Sequence, residues 1–380
     1  MQLIEVTNRK LQKDFIEIAL KLYKDDPKWI RPIDKDIEDT FNPKKNKLFR
    51  NGEAIRWILK NDNGELIGRV AAFINHKTAK TTEQPTGSLG FFECINDHEA
   101  AKILLDKCME WLKERDMEAM DGPINFGERD RWWGCLIDGF HEPNYCMNYN
   151  PPYYQQLFED YGFQLYFQQF TYRFETATPL PEKYAEKAER IARNPKYKFK
   201  HLELKDFDKY IEDFRYIYNK AWTSHHGFKP MAKEQAKSLM SKLKPVVDPD
   251  IMWYCYYDDE PIGFFIIMPE LNQIFKHVNG KLNLLGKMIF LWHKWRRTCR
   301  KMFGVAYGVV PEHQNKGLEG AIVQAAANHV LPKNKYDVFE MNWIGDFNPK
   351  MMHIAESVGA SVYKTHHTYR YLFDREKEFT

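Results

Sequence analysis

The sequence predicts an α/β protein made of two similar domains in tandem, each built on a mixed sheet. The chain has 380 residues, about 2.5 times the usual length of one domain. Landmark sequences also recur at nearly one offset: Asn150-Pro151 returns as Asn348-Pro349, and Tyr172-Arg173-Phe174 returns 197 residues later as Tyr369-Arg370-Tyr371. Because a fixed offset between several markers is the signature of duplication, we divide the chain into residues 1–176 and 200–380, joined by a linker and connecting helix at 177–199.

Composition narrows the function classes. Hydrophobic residues make up 43% of the chain, which is typical of a globular protein, and the net charge is +3. So small a charge argues against a dedicated nucleic-acid binder. The six cysteines form no Cys-x-x-Cys pair, so we expect free thiols in a reducing, cytoplasmic setting and no metal site. Neither a signal peptide nor a run of 18 apolar residues occurs.

Each half alternates strand and helix patterns. The second half has helical spacing of apolar residues over 206–222 and a hairpin pattern over 251–267. We predict the remaining elements of this half as a strand at 303–310, a helix at 317–330, a strand at 337–343 and a helix from Pro349. The first half is expected to have strands at 54–60, 65–75 and 88–94 and a helix at 98–114.

One segment indicates a ligand site. Residues 309–321 run from an apolar strand through a polar loop into a helix rich in small residues. Free N–H groups in the first turn of such a helix converge on one point, and the helix dipole favours an anion there. Lys316 adds a positive charge, so the pattern is typical of a pyrophosphate site.

This segment resembles the signature of the GCN5-related N-acetyltransferase (GNAT) superfamily, Gln/Arg-x-x-Gly-x-Gly/Ala, through Gln314 and Gly317. It departs at Glu319, where the family has a small residue and where a carboxylate would repel phosphate. Asn348, a following helix and Gly359 have the spacing of the family's second motif. The resemblance implies acetyl-CoA or another acyl-CoA as co-substrate. The implied cofactor-binding residues are Val309, Val310, Gln314, Asn315, Lys316, Gly317, Leu318, Glu319, Gly320, Ala321 and Asn348.

The first half lacks this motif. At the equivalent position it has residues 94–101, with Asp97 and Glu99 at the helix start and no glycine. These carboxylates would satisfy the helix dipole themselves and oppose phosphate. We therefore interpret the first half as a degenerate GNAT-like domain that shapes the acceptor site. It is similar to a group of bacterial tandem acyltransferase-like proteins through the sequences at 90–95, 122–125 and 149–154.

The resemblance also implies a catalytic base and a tyrosine that protonates the leaving thiolate. The family tyrosine lies seven residues after the asparagine, which counted from Asn348 is Ala355, and the aligned position of the first half is Phe158. Tyr363 and Tyr307 are the alternatives for this acid. Glu340 and His225 are the candidate bases, and a structural or solvated role is the alternative for each. We also consider Asn342 and Trp343 as lining of the pantetheine channel, and the loop 122–134, with Trp132-Trp133, as a cover for the acceptor pocket.

An insertion at 271–301 combines large apolar side chains with lysines and arginines. Such a segment is typical of peripheral membrane contact, here through 282–300, or of a helix packed on its own domain. Three functions stay open. The first is an acyl-CoA-dependent N-acyltransferase, most simply an acetyltransferase, acting on a small-molecule or lipid amine. The second is an inactive CoA- or metabolite-binding pseudoenzyme. The third is a long-chain acyltransferase acting on an amino-lipid at the membrane surface.

Overall fold

The computed structural model describes residues 1–81, 84–221, 223, 230–314 and 316–379. Over these residues the chain forms one mixed sheet of thirteen strands with helices packed on it. The strands are β1 Gln2–Glu5, β2 Gly52–Lys60, β3 Leu66–Asn75, β4 Thr86–Cys94, β5 Ala119–Gly122, β6 Cys135–Asp138, β7 Gln164–Glu175, β8 Tyr197–His201, β9 Met252–Tyr257, β10 Glu260–Pro269, β11 Lys301–Val309, β12 Val338–Gly345 and β13 Ser361–Leu372. The helices are α1 Arg9–Leu22, α2 Asp34–Thr40, α3 His98–Lys113, α4 Tyr154–Tyr161, α5 Glu182–Ala192, α6 Phe207–Ala221, α7 Lys233–Leu243, α8 Asn272–Val278, α9 Leu284–Trp295, α10 Leu318–Val330 and α11 Pro349–Ser357.

The predicted elements of both halves are confirmed, with bounds shifted by a few residues. The second-half hairpin shows why the local sequence suffices. Asp258 and Asp259 both have positive φ, 46° and 68°, the conformation of a tight turn whose twist matches its flanking strands. Buried aromatic and aliphatic side chains on β9 and β10 then pack under α6 and α10 in one core. All six cysteines are free thiols, as predicted.

The two halves exchange their last strands. Twelve of the thirteen strands follow the order β1-β2-β3-β4-β5-β13-β7-β12-β11-β10-β9-β8, and β6 pairs with β13 off this path. Strand β13, at the end of the second half, therefore pairs with β5 of the first half, while β7, at the end of the first half, pairs with β12 of the second. Segments 1–176 and 200–380 thus each supply one strand to the part of the sheet that the other segment forms.

Two ion pairs at equivalent positions join the exchanged strands to their neighbours. Arg173 on β7 lies opposite Glu340 on β12, and Arg370 on β13 lies opposite Asp121 on β5. The Arg370 guanidinium approaches both Asp121 oxygens, at 2.8 and 3.0 Å, and Arg173 lies 3.7 Å from Glu340. Each arginine belongs to the repeated sequence Tyr-Arg noted above, so duplication explains the symmetry. In each half the exchanged strand is fixed by an arginine that reaches a carboxylate of the other half.

The strands β11 and β12 separate beyond their first four residues. They pair in parallel from Lys301↔Val338 to Gly304↔Met341. A register shift against β10 then leaves Val305 as an extra residue on β11, and such a bulge bends its strand. The two strands diverge from this point and leave a V-shaped cleft in the sheet.

Candidate functional site

The cleft between β11 and β12 opens into the main cavity, of about 760 Å³. This volume lies in the range of small-molecule and cofactor sites. Its walls come from both strands, from α10 and α11 and from the chain around 174–185. Most of the lining is apolar, with the side chains Phe265, Ile267, Met302, Val305, Val323, Ala326, Phe339, Met341, Ile344, Phe347, Met351 and Ile354 among it. The arrangement suits a long, largely apolar ligand that enters between the strands.

The helix α10 begins beside this cavity without a side-chain cap. Its N-cap residue is Gly317, with φ 86° in the left-handed region, which glycine adopts without strain. The first N–H groups of a helix have no partner within it, so an uncapped start offers them to an anion. The Gln314 side chain supports the loop by donating to the Val309 carbonyl at 2.9 Å, and it accepts from Lys350 at 3.1 Å. Lys316 is exposed at the same place.

The other predicted cofactor residues have distinct places. Val309 and Val310 are buried, and the Val310 N–H donates to Ile262 at 2.9 Å, so they hold the loop in position. Leu318, Gly320 and Ala321 are buried in α10. Glu319 and Asn348 both line the main cavity, and Asn348 also caps α11 by accepting from Met351 at 3.3 Å. Asn315 lies outside the described residues.

The equivalent cleft of the first half is closed by its own chain. Beyond the parallel pairs of β4 and β5, the Ile124 N–H donates to the Leu89 carbonyl at 2.9 Å. The approach is so close that a Cβ on Gly90 would lie 1.7 Å from the Ile124 carbonyl oxygen. At the start of α3, Asp97 accepts from the Ala100 N–H at 2.9 Å. As predicted, a carboxylate there satisfies an N–H group of the helix start.

The structure does not support Glu340 as a catalytic base. Its side chain is fully buried and is absent from the lining of the main cavity, to which its neighbours Phe339 and Met341 contribute. Burial alone would raise its pKa, but Lys364 at 4.0 Å, Lys301 at 3.1 Å and a hydrogen bond from Asn144 at 2.6 Å hold that pKa below its ordinary value. A carboxylate so enclosed and so stabilised as an anion is a poor proton acceptor. Glu340 is instead an anchor for β12 at the vertex of the cleft.

Tyr363 does not line the main cavity. The Tyr363 ring stacks on His141 at 4.3 Å and lies under the Arg173 guanidinium. It lines a separate cavity of about 360 Å³, and burial is the main cause that raises its pKa. Tyr363 is therefore not in reach of a ligand in the main cavity. His225 lies outside the described residues.

Several polar residues do line the main cavity. Tyr307 is on β11, and its ring packs edge-on against Phe265 at 5.9 Å. Asn342 accepts from Asn144 and from Thr171, both at 3.2 Å. Tyr307, Asn342 and Trp343 were all considered from the sequence. Tyr307 differs from Tyr363 in lying on β11, the strand that carries the bulge.

The first half contributes to this cavity through one loop. Arg129 lines the main cavity, and its carbonyl accepts from the Trp343 indole N–H at 2.8 Å. Trp132 and Trp133 of the same loop are buried in apolar clusters, and Trp132 also lines a separate cavity of about 80 Å³ that lies mostly in the first half. That this loop covers the acceptor pocket stays a prediction.

Among the described residues, His201, Asp250 and His329 form one group with the spacing of metal ligands. The Asp250 carboxylate is already paired with Lys333 at 2.6 Å and with Lys335. Burial opposes ionisation of Asp250, yet these lysines hold its pKa well below the ordinary value. Two ammonium groups on the shared carboxylate leave the group without the charge that a cation needs, so we assign no metal to it.

The chain is similar in sequence to two known bacterial proteins over nearly its whole length. No family model matches the chain. A bacterial ceramide synthase of Caulobacter vibrioides (strain NA1000 / CB15N) is 26% identical over 363 residues, 94% of each chain, and protein YghO of Escherichia coli (strain K12) is 24% identical over 95% of this chain and 93% of its own.

Among solved structures, a tandem GNAT protein from the clavulanic acid biosynthesis pathway has a TM-score of 0.56 at 10% identity and covers 99% of both chains. A glucosamine N-acetyltransferase region of a fungal multi-domain enzyme has a TM-score of 0.55 at 12% identity, over 97% of this chain and 38% of that one. The chain therefore has the fold of tandem GNAT proteins, as its sequence predicted.

Proposed function

We propose that the protein is an acyl-CoA-dependent N-acyltransferase that joins a long acyl chain to the amine of a long-chain amino-lipid. The observation that carries this is the apolar cavity of about 760 Å³ that opens beside an uncapped helix start at Gly317. The helix start suits the CoA pyrophosphate, the cleft suits the pantetheine arm, and the apolar walls suit an acyl chain beyond what an acetyl group needs.

The relative from Caulobacter vibrioides supports the choice of acceptor. That protein is named a bacterial ceramide synthase, and the match spans nearly the whole of both chains. A ceramide is the amide of a fatty acid with a long-chain amino alcohol, so both of its parts are largely apolar. The same pairing of substrates fits a cavity whose lining is mostly apolar and includes a few polar side chains, Tyr307, Glu319 and Asn342 among them.

The reaction forms one C–N bond and breaks one C–S bond. The neutral amine nitrogen attacks the thioester carbonyl, the carbonyl oxygen takes up negative charge, and the CoA thiolate leaves. One proton is lost from nitrogen and one is gained by sulfur. The bulged strand β11 leaves backbone groups after Gly304 outside the β11–β12 ladder, and N–H groups at this place stabilise the oxyanion.

Tyr307 is the proton donor to the leaving sulfur in this proposal. It lies on the cleft strand β11 and lines the cavity, whereas the family position holds Ala355, which is fully buried in the core around α11. A phenol can protonate a thiolate as the C–S bond breaks. Tyr307→Phe should then lower turnover about 100-fold with little change in acyl-CoA affinity.

Thiol release from acyl-CoA tests the function directly. The full chain is assayed with acetyl-, octanoyl- and palmitoyl-CoA against a long-chain amino alcohol and against a small diamine, with product amide measured by mass spectrometry. We expect amide only with the long-chain amine, at rates that rise with acyl length. Equal rates with acetyl-CoA and the diamine would overturn the lipid acceptor, and acyl-CoA binding without turnover on any amine would overturn the enzyme.

That last outcome describes the second candidate, a CoA-binding pseudoenzyme. Two observations favour it: Ala355 stands where the family has its tyrosine, and Glu319 lines the cavity beside the helix start. Calorimetry with CoA establishes binding for either candidate, and the turnover assay separates them, because a pseudoenzyme binds CoA but forms no amide with any amine.

A further inference from the structure

Helix α9 carries an unusual apolar surface. Six large apolar side chains on its twelve residues are between 49% and 79% exposed: Leu284, Leu285, Met288, Leu291, Trp292 and Trp295. Soluble monomers rarely leave so many large apolar groups together in water, and such patches mark interaction sites. The exposed tryptophans are notable because this side chain is strongly favoured at boundaries between apolar and aqueous phases.

These six side chains share one face of the helix. At about 100° per residue they fall within an arc of about 120°. The opposite face is the one that packs: Gly286 is buried, Ile289 and Phe290 join a cluster with Phe275 of α8, and His293 stacks on His277 at 4.0 Å. The helix therefore already has a packed inner face, and its second apolar face is turned to solvent.

The inner packing fixes this helix to the body of the protein. In α8, the Asn272 side chain donates to the Pro143 carbonyl at 2.9 Å, and the Phe275 ring lies 5.1 Å from that of Tyr145. Both partners belong to the first half, so the insertion spans the two halves. The outward apolar face is consequently presented by a rigid support.

The charged side chains of this segment have one sign. Residues 271–311 contain eight lysines and arginines and no aspartate or glutamate. Lys281, Lys287, Lys294, Arg296 and Arg297 on or next to α9 are all exposed. A basic helix with one apolar face and interfacial tryptophans has the composition of helices that lie in the plane of a membrane surface.

We propose that this face of α9 docks the protein on an anionic lipid bilayer, with the helix lying in the interface. Twelve residues span about 18 Å as a helix, and no described helix is long and apolar enough to cross a bilayer. Charge complementarity selects the bilayer over a second copy of the chain, since pairing two such faces would bring ten cations together without a counter-charge. An amino-lipid acceptor is held in the membrane, so docking would bring the protein to its acceptor. This reason for docking rests on the proposed function and deepens it.

Vesicle flotation of the full chain tests the proposal without any substrate. The vesicles contain phosphatidylcholine alone or with phosphatidylglycerol at about 30%, at low and at high salt. We expect flotation with the anionic vesicles and a bound fraction that falls as salt rises. The triple variant L284S/L291S/W295S should lose at least about tenfold in partitioning. The matched control L165S/L239S/V362S changes three exposed apolar residues elsewhere and should float like the wild type.

Two results would overturn the proposal. One is flotation that the triple variant retains. The other is no flotation together with a dimer, measured by light scattering, that the triple variant dissociates, because α9 would then be a contact between copies. The variant Arg296→Gln/Arg297→Gln should weaken binding to anionic vesicles several-fold with no effect on the fold. Flotation with no acyl transfer would leave the docking surface intact and remove only the proposed function.

Discussion

The two clefts of this molecule occupy equivalent places and differ in what fills them. In the first half the chain leaving β5 continues alongside β4, so that the Ile124 N–H donates to the Leu89 carbonyl, and Asp97 caps the helix α3. In the second half β11 and β12 diverge around a cavity of about 760 Å³ and α10 starts at Gly317 without a side-chain cap. The same frame occurs twice, and a few residues at the cleft decide which copy has a cavity of this size between its strands.

The largest effect is expected at the carboxylates that fix the exchanged strands. Glu340→Gln leaves Lys301, Lys364 and Arg173 without their buried counter-charge, so stability should fall by about 3–5 kcal/mol. Asp121→Asn should cost less, about 1–3 kcal/mol, because burial already raises the pKa of Asp121 whereas that of Glu340 is lowered. Urea unfolding at pH 7 measures both, and equal losses would contradict the difference.

The Glu340 carboxylate also makes the stability of the folded protein depend on pH. A lowered pKa in the folded state means that the contribution of Glu340 is fully present above its ordinary value of 4.5 and is lost as the pH falls through the folded pKa. The acid limb of the stability profile should therefore be shallower in Glu340→Gln than in the wild type.

Closing the second cleft should make it resemble the first. Val305→Trp places a large ring at the bulge that lines the cavity, and acyl transfer should fall by about 100-fold because the thioester is displaced. Val362→Trp is the matched control: its valine is 47% exposed on a strand, against 44% for Val305, and lies outside the cavity lining. Equal activity of the two variants would mean that the substrate does not use this cleft.

A change at Gly317, where helix α10 begins, should have the next largest effect, on the affinity for CoA. Gly317→Ala forces an alanine into left-handed backbone at φ 86°, so the loop should shift and the affinity for CoA should fall about tenfold. Gly64→Ala has the same conflict at φ 78° in an open hairpin turn of the first half. Both should lose about 1 kcal/mol of stability, measured by thermal unfolding, but calorimetry should show weaker CoA binding for Gly317→Ala alone.

The smallest expected effect concerns Glu319, which the signature does not have. Glu319→Gln removes a negative charge beside the phosphate site, so CoA should bind a few-fold more tightly, and more so at low salt. Glu312→Gln, an exposed residue of the same loop, should change little. If turnover collapsed in Glu319→Gln while the CoA affinity stayed constant, Glu319 would be the catalytic base instead.

The sequence predicted the features of the two clefts that depend on residues close to one another in the chain. The loop with Gln314 and Gly317, the capping carboxylate Asp97 and the elements around them depend on neighbouring residues, so their patterns are legible. Glu340 was misassigned because its partners Asn144 and Arg173 lie more than 160 residues away. The strand exchange was missed for a different reason. The two last strands carry the same Tyr-Arg sequence, which shows that they are equivalent but not which sheet each one joins.

The exchange of β7 and β13 has a consequence for synthesis of the chain. When the ribosome has released the first 180 residues, β5 still has no β13 beside it, and this edge stays open until almost the last residue has been made. Exposed strand edges are templates for aggregation, and pairings this distant in sequence form slowly. Truncation shortly before residue 361 should therefore damage the first half, whose own sequence is complete, and a nascent chain stalled there should need chaperones.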